Sequence, residues 1–283
     1  MPLLHERLAQ ARRALLGAGI DPDEAAIDVE VLARAVLAWD RARLLTHFRE
    51  PAPAGLDPRF EQLLARRIAR EPVAYIVGHR EFWGREFEVT PAVLVPRPET
   101  EIVIEEALEA SRAGQSFGTI VDVGTGSGCL AVTLALEFPD ARVYATDMSA
   151  AALAVARRNA ALHGAGSRIT FVGCDLLDGI DALADLVVSN PPYVPSAETD
   201  RLQPEVARYE PHAALFAGSD GLAAIRRLLA TAPACLANGG LLIVEFGFGQ
   251  EADVRGLAQA SGWRVVRIRP DLQGIARTAV LRR

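Results

Sequence analysis

From residue 119 to the C-terminus, short apolar runs alternate with helical stretches, and that alternation leaves little choice of architecture. The runs fall at roughly 119–123, 142–146, 169–172, 185–189, 240–245, 263–268 and 277–282. Strands joined through helices must lie mostly parallel, with the helices covering both faces of the sheet. The expected class is therefore α/β, a doubly wound, mostly parallel seven-stranded sheet of Rossmann-like type. Between the fourth strand and the next helix the chain inserts an irregular stretch from about Val194 to Ser219. Connections in such sheets usually take ~2–6 residues, and longer ones tend to carry function.

Upstream the texture differs. Leu4, Leu8, Ala11, Leu15 and Leu16 share one helical face, and Asp21-Pro22-Asp23-Glu24 is a helix start with a cap, an N1 proline and a capping-box Glu. Asp57-Pro58 repeats that signal. Residues 1–75 are thus expected to form a small helical bundle, and they balance eleven Arg against eleven acidic side chains. Residues 76–98, with Phe82, Trp83, Phe87, Val89, Val93 and Val95 around Gly84-Arg85, are expected to form a β-hairpin linker, leaving 99–283 as the α/β domain.

A chain of 283 residues, half of them hydrophobic, can bury a substantial core. No apolar run reaches the ~18 residues of a membrane span, and charged residues interrupt the first twenty, so a cytoplasmic protein without membrane attachment is expected. Three separated cysteines argue against a disulfide framework, and His5, His47, His79, His163 and His212 show no metal-ligand spacing. The expected metal content is none. All 30 basic residues are Arg, which removes lysine chemistry, and the net charge of -6 weighs against a strong phosphate-binding surface.

Two motifs carry the chemistry. Gly124-Thr125-Gly126-Ser127-Gly128 follows the first strand of the sheet and opens a helix, leaving backbone clear of side chains for a nucleotide-like ligand. Asp147 ends the second strand, where it can accept hydrogen bonds from ribose hydroxyls. Gly126 to Ala131 also fit the G-x-G-x-x-A fingerprint, so the loop alone leaves NAD and S-adenosylmethionine open. The second motif is Asn190-Pro191-Pro192-Tyr193, at the end of the fourth strand. In a doubly wound sheet the ends of the first and fourth strands flank the point where strand order reverses, so both motifs are expected to share one cleft. The prolines donate nothing. Asn190 Oδ1 and the Pro191 carbonyl remain as acceptors suited to an NH2 group, and the Tyr193 ring can pack against a planar amide or base.

At this point the sequence resembles the class I S-adenosylmethionine-dependent methyltransferases, and more closely the release factor glutamine methyltransferases of the PrmC or HemK type. The resemblance rests on both motifs and on Glu71-Pro72, Tyr75-Ile76, Gly78, Glu81-Phe82 and Gly84. It continues through Val95-Pro96-Arg97-Pro98-Glu99-Thr100-Glu101, Glu210-Pro211, Ala214-Leu215, Asp220-Gly221-Leu222, Asp271-Leu272, Gly274 and Arg277. It implies a cytoplasmic enzyme that methylates the side-chain amide nitrogen of the glutamine in the Gly-Gly-Gln loop of peptide-chain release factors. Release factors are the implied partners, with no direct nucleic acid, and the helical bundle would take part in recognising them.

The implied donor, S-adenosylmethionine, would lie along Gly124, Thr125, Gly126, Ser127 and Gly128, with its ribose on Asp147 and Leu176 beside the adenine. Asn190 would contact both donor and substrate. Pro191 and Tyr193 would complete the catalytic set, with Pro192 lining the substrate side. Two other readings stand beside this one: a DNA or RNA amino-group methyltransferase using the same tetrapeptide, and a non-catalytic nucleotide-binding module. A basic track for the first is lacking, since residues 76–283 carry 19 Arg against 25 acidic side chains. The two intact motifs speak against the second.

Overall fold

The first helix-start signal operates in part as the sequence implies, whereas Asp57 makes no cap contact and its carboxylate accepts from Arg7 instead. Asp21 accepts from the backbone N–H groups of Asp23 and Glu24 at the head of the second helix, Pro22 occupies its first turn, and Asp40 caps the third by accepting from Arg43. Glu24 does not complete a capping box; its carboxylate reaches 3.8 Å from Arg67 instead. The computed structural model describes residues 2–283.

The chain forms two compact units. The first comprises the chain up to His79 together with Gln203–Tyr209. Its helices are α1 (Leu4–Gly17), α2 (Pro22–Leu37), α3 (Arg41–Thr46), α4 (Asp57–Ile68) and the short α5 (Val73–Val77). Leu4, Leu8, Leu15, Leu32, Leu44, Leu56 and Phe60 close its core.

The second unit begins with the hairpin β1 (His79–Phe82) and β2 (Arg85–Glu88), the first residue of β1 belonging to the other unit. The turn places Trp83 and Gly84 at φ of +53° and +67°, the paired left-handed geometry that a two-residue hairpin requires. Phe82 and Phe87 meet edge to face at 6.1 Å and join the main core. Of the rest of the region expected as hairpin, 76–77 end α5, 89–97 are irregular and Pro98 opens a short 3-10 turn.

There follow α6 (Glu101–Arg112), β3 (Thr119–Val123), α7 (Cys129–Glu137), β4 (Arg142–Asp147), α8 (Ala150–Leu162), β5 (Ile169–Gly173) and β6 (Ala184–Ser189). The chain ends with α9 (Pro204–Tyr209), α10 (Ala223–Cys235), β7 (Leu236–Glu245), α11 (Glu251–Ala260), β8 (Arg264–Pro270) and β9 (Ala276–Arg282). The seven-stranded sheet has the order β5-β4-β3-β6-β7-β9-β8. Among the described strands of this sheet, β9 alone runs opposite to the other six. One apolar layer joins α6, α7 and α8 to the sheet; the other joins α10 and α11. β7 starts at Leu236, earlier than the expected 240, and its pairing with β6 slips between Ala184 and Leu186.

The order reverses between β3 and β6, whose ends meet in register at Val123 and Ser189. Ser189 Oγ donates to the Val123 carbonyl at 2.8 Å, fixing those ends to each other. The long insertion is more ordered than its sequence suggests. Val194 pairs with Phe216 in a short parallel bridge, its N–H donating to Leu215 and its carbonyl accepting from Ala217. Between these anchored ends the chain leaves the α/β unit to place α9 in the helical one. There Glu205 accepts from Arg67 at 2.6 Å and Arg70 at 2.7 Å, while Arg67 also donates to Asp28 at 2.5 Å. The cue for α9 is a buried charge 138 residues from its partner, which no local pattern reveals.

Candidate active site

A cavity of about 310 Å³ opens at the reversal point. Its walls include Gly124, Thr125, Gly126, Ser127, Asp147, Leu176, Asn190 and Pro192, so the two motifs do share one cleft. Gly128, Pro191 and Tyr193 lie outside the lining, Pro191 buried and Tyr193 partly buried behind it.

The glycine loop differs from its expected form in one respect. Gly124, Gly126 and Gly128 adopt φ of +74°, +54° and +81°, and these left-handed turns fold the loop back on the protein. The N–H groups of Gly124 and Thr125 both donate to the Thr146 carbonyl, at 2.9 and 2.8 Å, and that of Gly128 donates to Thr125. Gly126 N–H donates to Asp147 Oδ2 at 2.9 Å. The loop thus offers a ligand close approach and shape at these positions, while most of its donors hold it in place.

Beneath it Asp122 Oδ2 accepts from Thr125 Oγ1 at 2.6 Å and from Ala131 N–H at 3.1 Å, and burial pushes this carboxyl up to about 7. Cys129, on the cavity wall, is a buried thiol pushed up to about 12, inert as a nucleophile.

Asp147 has a second duty on its other oxygen, which accepts from Ser149 N–H at 2.8 Å. Ser149, not Asp147, caps α8, through its side chain to Ala152 N–H. A carboxylate has about four acceptor sites, so two remain for a ligand. Leu176 holds a left-handed φ of +51° that turns it into the cavity wall, and its carbonyl accepts from Thr146 Oγ1 at 2.7 Å.

Asn190 emerges directly from β6. Its Nδ2 donates to Thr100 Oγ1 at 2.9 Å, and Thr100 donates in turn to Glu245 Oε2 at 2.7 Å. Tyr193 OH donates to Glu245 Oε1 at 3.2 Å. Glu245 is 1% exposed and terminates β7; burial pushes its carboxyl up to about 7, against hydrogen bonds from Thr100 and Tyr193 that lower it. Burial likewise pushes the Tyr193 phenol up, so it remains a donor.

The turn behind Asn190 is pinned from outside. Gln250 Nε2 donates to the Tyr193 carbonyl at 3.0 Å, and Gly221, at φ +73°, packs so closely that a Cβ there would lie 2.2 Å from that carbonyl oxygen.

Thr100 and Glu245 were not singled out from sequence. Thr100 falls within the motif-bearing segment after the hairpin, and Glu245 is the lone charge ending an apolar strand, which was the available signal. Arg97 lines the cavity too, and its Nη2 donates to both oxygens of buried Glu210 at 2.7 Å. Among the described residues no cluster of His, Cys, Asp and Glu is arranged to hold a metal, and no helix is long and apolar enough to cross a membrane.

Residues 6–78 match the family model described as the PrmC N-terminal domain, and residues 100–206 match the methyltransferase small domain. The release factor glutamine methyltransferase of Cereibacter sphaeroides is 48% identical over 272 residues, covering 95% of each chain. That of Moorella thermoacetica is 44% identical over 276 residues, covering 96% of this chain and 95% of its own. Among solved structures, the hMettl16 catalytic domain in complex with MAT2A 3'UTR hairpin 6 aligns with a TM-score of 0.56 at 14% identity, over 78% of this chain and 81% of that one. The ribosomal protein L11 methylase from Lactobacillus delbrueckii subsp. bulgaricus aligns with a TM-score of 0.51 at 21% identity, over 69% and 83%. These structural likenesses carry the fold alone.

Proposed function

We propose a working site for a chain that belongs to the release factor glutamine methyltransferase family, as its identity to those relatives over nearly its whole length requires. The enzyme transfers a methyl group from S-adenosylmethionine to the side-chain amide nitrogen of the glutamine in the Gly-Gly-Gln loop of peptide-chain release factors. The observation that carries the site assignment is the meeting, in one cavity, of the glycine loop ending β3 and Asn190 ending β6.

The cavity fits the donor in its parts. Left-handed glycines leave the loop wall without side chains, Asp147 retains acceptor capacity for two ribose hydroxyls, and Leu176 offers an apolar face to the adenine. On this reading Gly124, Thr125, Gly126, Ser127, Gly128, Asp147, Leu176 and Asn190 hold the donor, which when bound supplies an electrophilic methyl group on sulfonium.

An amide nitrogen is a weak nucleophile because its lone pair is delocalised into the carbonyl. Acceptors directed at its two N–H bonds orient it and favour the positive charge that develops on it during transfer. Asn190 Oδ1 and the Pro191 carbonyl fill that role, with Pro192 and Tyr193 shaping the glutamine's berth. Holding nitrogen and methyl carbon in line can supply roughly 7–11 kcal/mol in well-oriented systems. No strong base is required, and the proton passes to solvent after transfer.

Residues 1–75 act in recognition of the protein substrate, 76–98 as linker and 99–283 as the catalytic domain. Because release factors work in translation, the enzyme acts in the cytoplasm. The nucleic-acid reading gains no support from a chain with 30 basic against 36 acidic side chains.

Mass spectrometry of release factor incubated with this enzyme and labelled donor is the test. One added methyl on the Gly-Gly-Gln glutamine is the expected result. Label appearing on ribosomal RNA or DNA in its place would reverse it.

A further inference from the structure

A carboxamide is nearly symmetrical in shape, so nothing in the outline of Asn190 decides which of its two ends faces the cavity. Turned one way it presents an acceptor to the target NH2 group; turned the other, it opposes donor to donor. What decides it lies behind. Thr100 Oγ1 stands 2.9 Å from Asn190 Nδ2 and 2.7 Å from Glu245 Oε2. A hydroxyl has one proton to give, and the geometry has Thr100 give it to Glu245 Oε2, which leaves Thr100 as an acceptor toward Asn190. Only Nδ2 satisfies it, and Oδ1 is thereby turned away.

Thr100 and Glu245 are 2% and 1% exposed, which keeps water from offering either an alternative partner. No ion pair neutralises Glu245 among the described residues; the nearby Arg277 pairs with Asp271 at 3.0 Å. A buried carboxylate without a cation is an expensive way to fill space. Its second oxygen accepts from Tyr193, so one group fixes both polar side chains of the tetrapeptide, from two strands that pair in register at Ser189 and Val244.

We propose that Thr100 and Glu245 are positioning residues that set the orientation of the Asn190 carboxamide, with its oxygen toward the acceptor nitrogen. This rests on the reading of Asn190 as the contact to the glutamine amide.

Thr100→Val keeps the side-chain shape and removes the hydroxyl. It is expected to lower kcat about 10–100-fold, the range seen when an outer partner that orients a first contact is lost in metal sites. Donor affinity should be unchanged, and Thr100→Ser should restore most of the rate. In the Asn190→Ala background Thr100→Val should cost nothing further, because its effect passes through Asn190; a merely structural role would add its loss.

Wild-type kcat in Thr100→Val, or fully additive losses in the double variant, overturns the proposal. If Thr100→Val fails to fold, Thr100→Ala serves, since it also removes the hydroxyl, with a lowered kcat at constant donor affinity expected and an unchanged kcat overturning the idea. Should Asn190→Ala itself keep its rate, the reading of the site fails, a result distinct from an inactive Asn190→Ala beside an unaffected Thr100→Val.

Discussion

Asp147 Oδ2 accepts the Gly126 N–H at 2.9 Å, so the carboxylate assigned to the ribose also anchors the loop that faces it. Asp147→Ala therefore removes ligand contacts and an internal one together. Asp147 is half-buried, and a typical hydrogen bond of this kind contributes ~0.5–1.5 kcal/mol. Calorimetric titration should show weaker donor binding, and a fall in melting temperature should accompany it. Unchanged affinity would remove Asp147 from the donor site.

Asn190→Ala should lower turnover steeply and leave the fold and most donor affinity intact. The loss of one preorganised partner of the transition state is worth roughly 10²–10³ in rate. Single-turnover kinetics beside a binding measurement check it, and near-normal rates would reduce Asn190 to a structural role.

Gly221→Ala should damage catalysis although Gly221 lies outside the cavity wall. Its Cβ would fall 2.2 Å from the Tyr193 carbonyl oxygen and 2.8 Å from Gln250 Nε2, and φ is +73°. Backbone must move, and the backbone in question is the Asn190 turn. A fall in kcat of more than tenfold is expected, with a lower melting temperature, since alanine at positive φ costs at least ~1 kcal/mol. Retention of both would mean that the turn tolerates displacement.

Arg67→Met should destabilise the helical unit more than Glu205→Gln. Arg67 serves Asp28 and Glu205 at once, whereas Glu205 also has Arg70. Breaking a buried pair by removing one partner costs about 3–5 kcal/mol. Burial raises the Glu205 carboxyl, but hydrogen bonds from Arg70 and Arg67 outweigh it and hold it below the usual range. Its stabilisation is therefore present above the ordinary carboxylate pKa and is lost as pH falls through the depressed value. Urea titrations at acid and neutral pH should show that loss in the wild type and not in Glu205→Gln.

Glu245 behaves in the opposite sense. Burial pushes it up to about 7, so its contribution to folding is greatest below the ordinary carboxylate pKa and declines as pH rises through the folded value. The stability difference between wild type and Glu245→Gln should shift against the wild type between about pH 5 and pH 8. A pH-independent difference would show that the buried carboxyl keeps its ordinary titration.

The sheet was legible because strand length, strand spacing and the two motifs are local signals, and the reversal point follows from connectivity. Val123 and Ser189 end in register where that logic puts them. Asn190 and the glycine loop were legible for the same reason. The Thr100 and Glu245 contacts were not: they join an α6 cap position to the end of β7 across 145 residues, and only packing reveals which buried hydroxyl meets which buried acid. The inward turn of the loop's N–H groups also escaped, since the acceptor at Thr146 belongs to the neighbouring strand.

The placement of α9 bears on the order in which the protein can be made. Arg67 leaves the ribosome 138 residues ahead of Glu205, so until α9 is made the helical unit lacks its last helix, and the Arg67 guanidinium has Asp28, Glu24 and the Glu71 carbonyl as partners. Completion waits until β3, β4, β5 and β6 have been synthesised, and closing so distant a contact is slow beside forming the local helices. A chain stalled before residue 203 would expose an unfinished cationic seam, a target for chaperones or for a neighbouring nascent chain. Removing residues 1–75 creates the reverse defect, stranding Glu205 without its arginines, so truncation probes the integrity of α9 as well as recognition of the substrate.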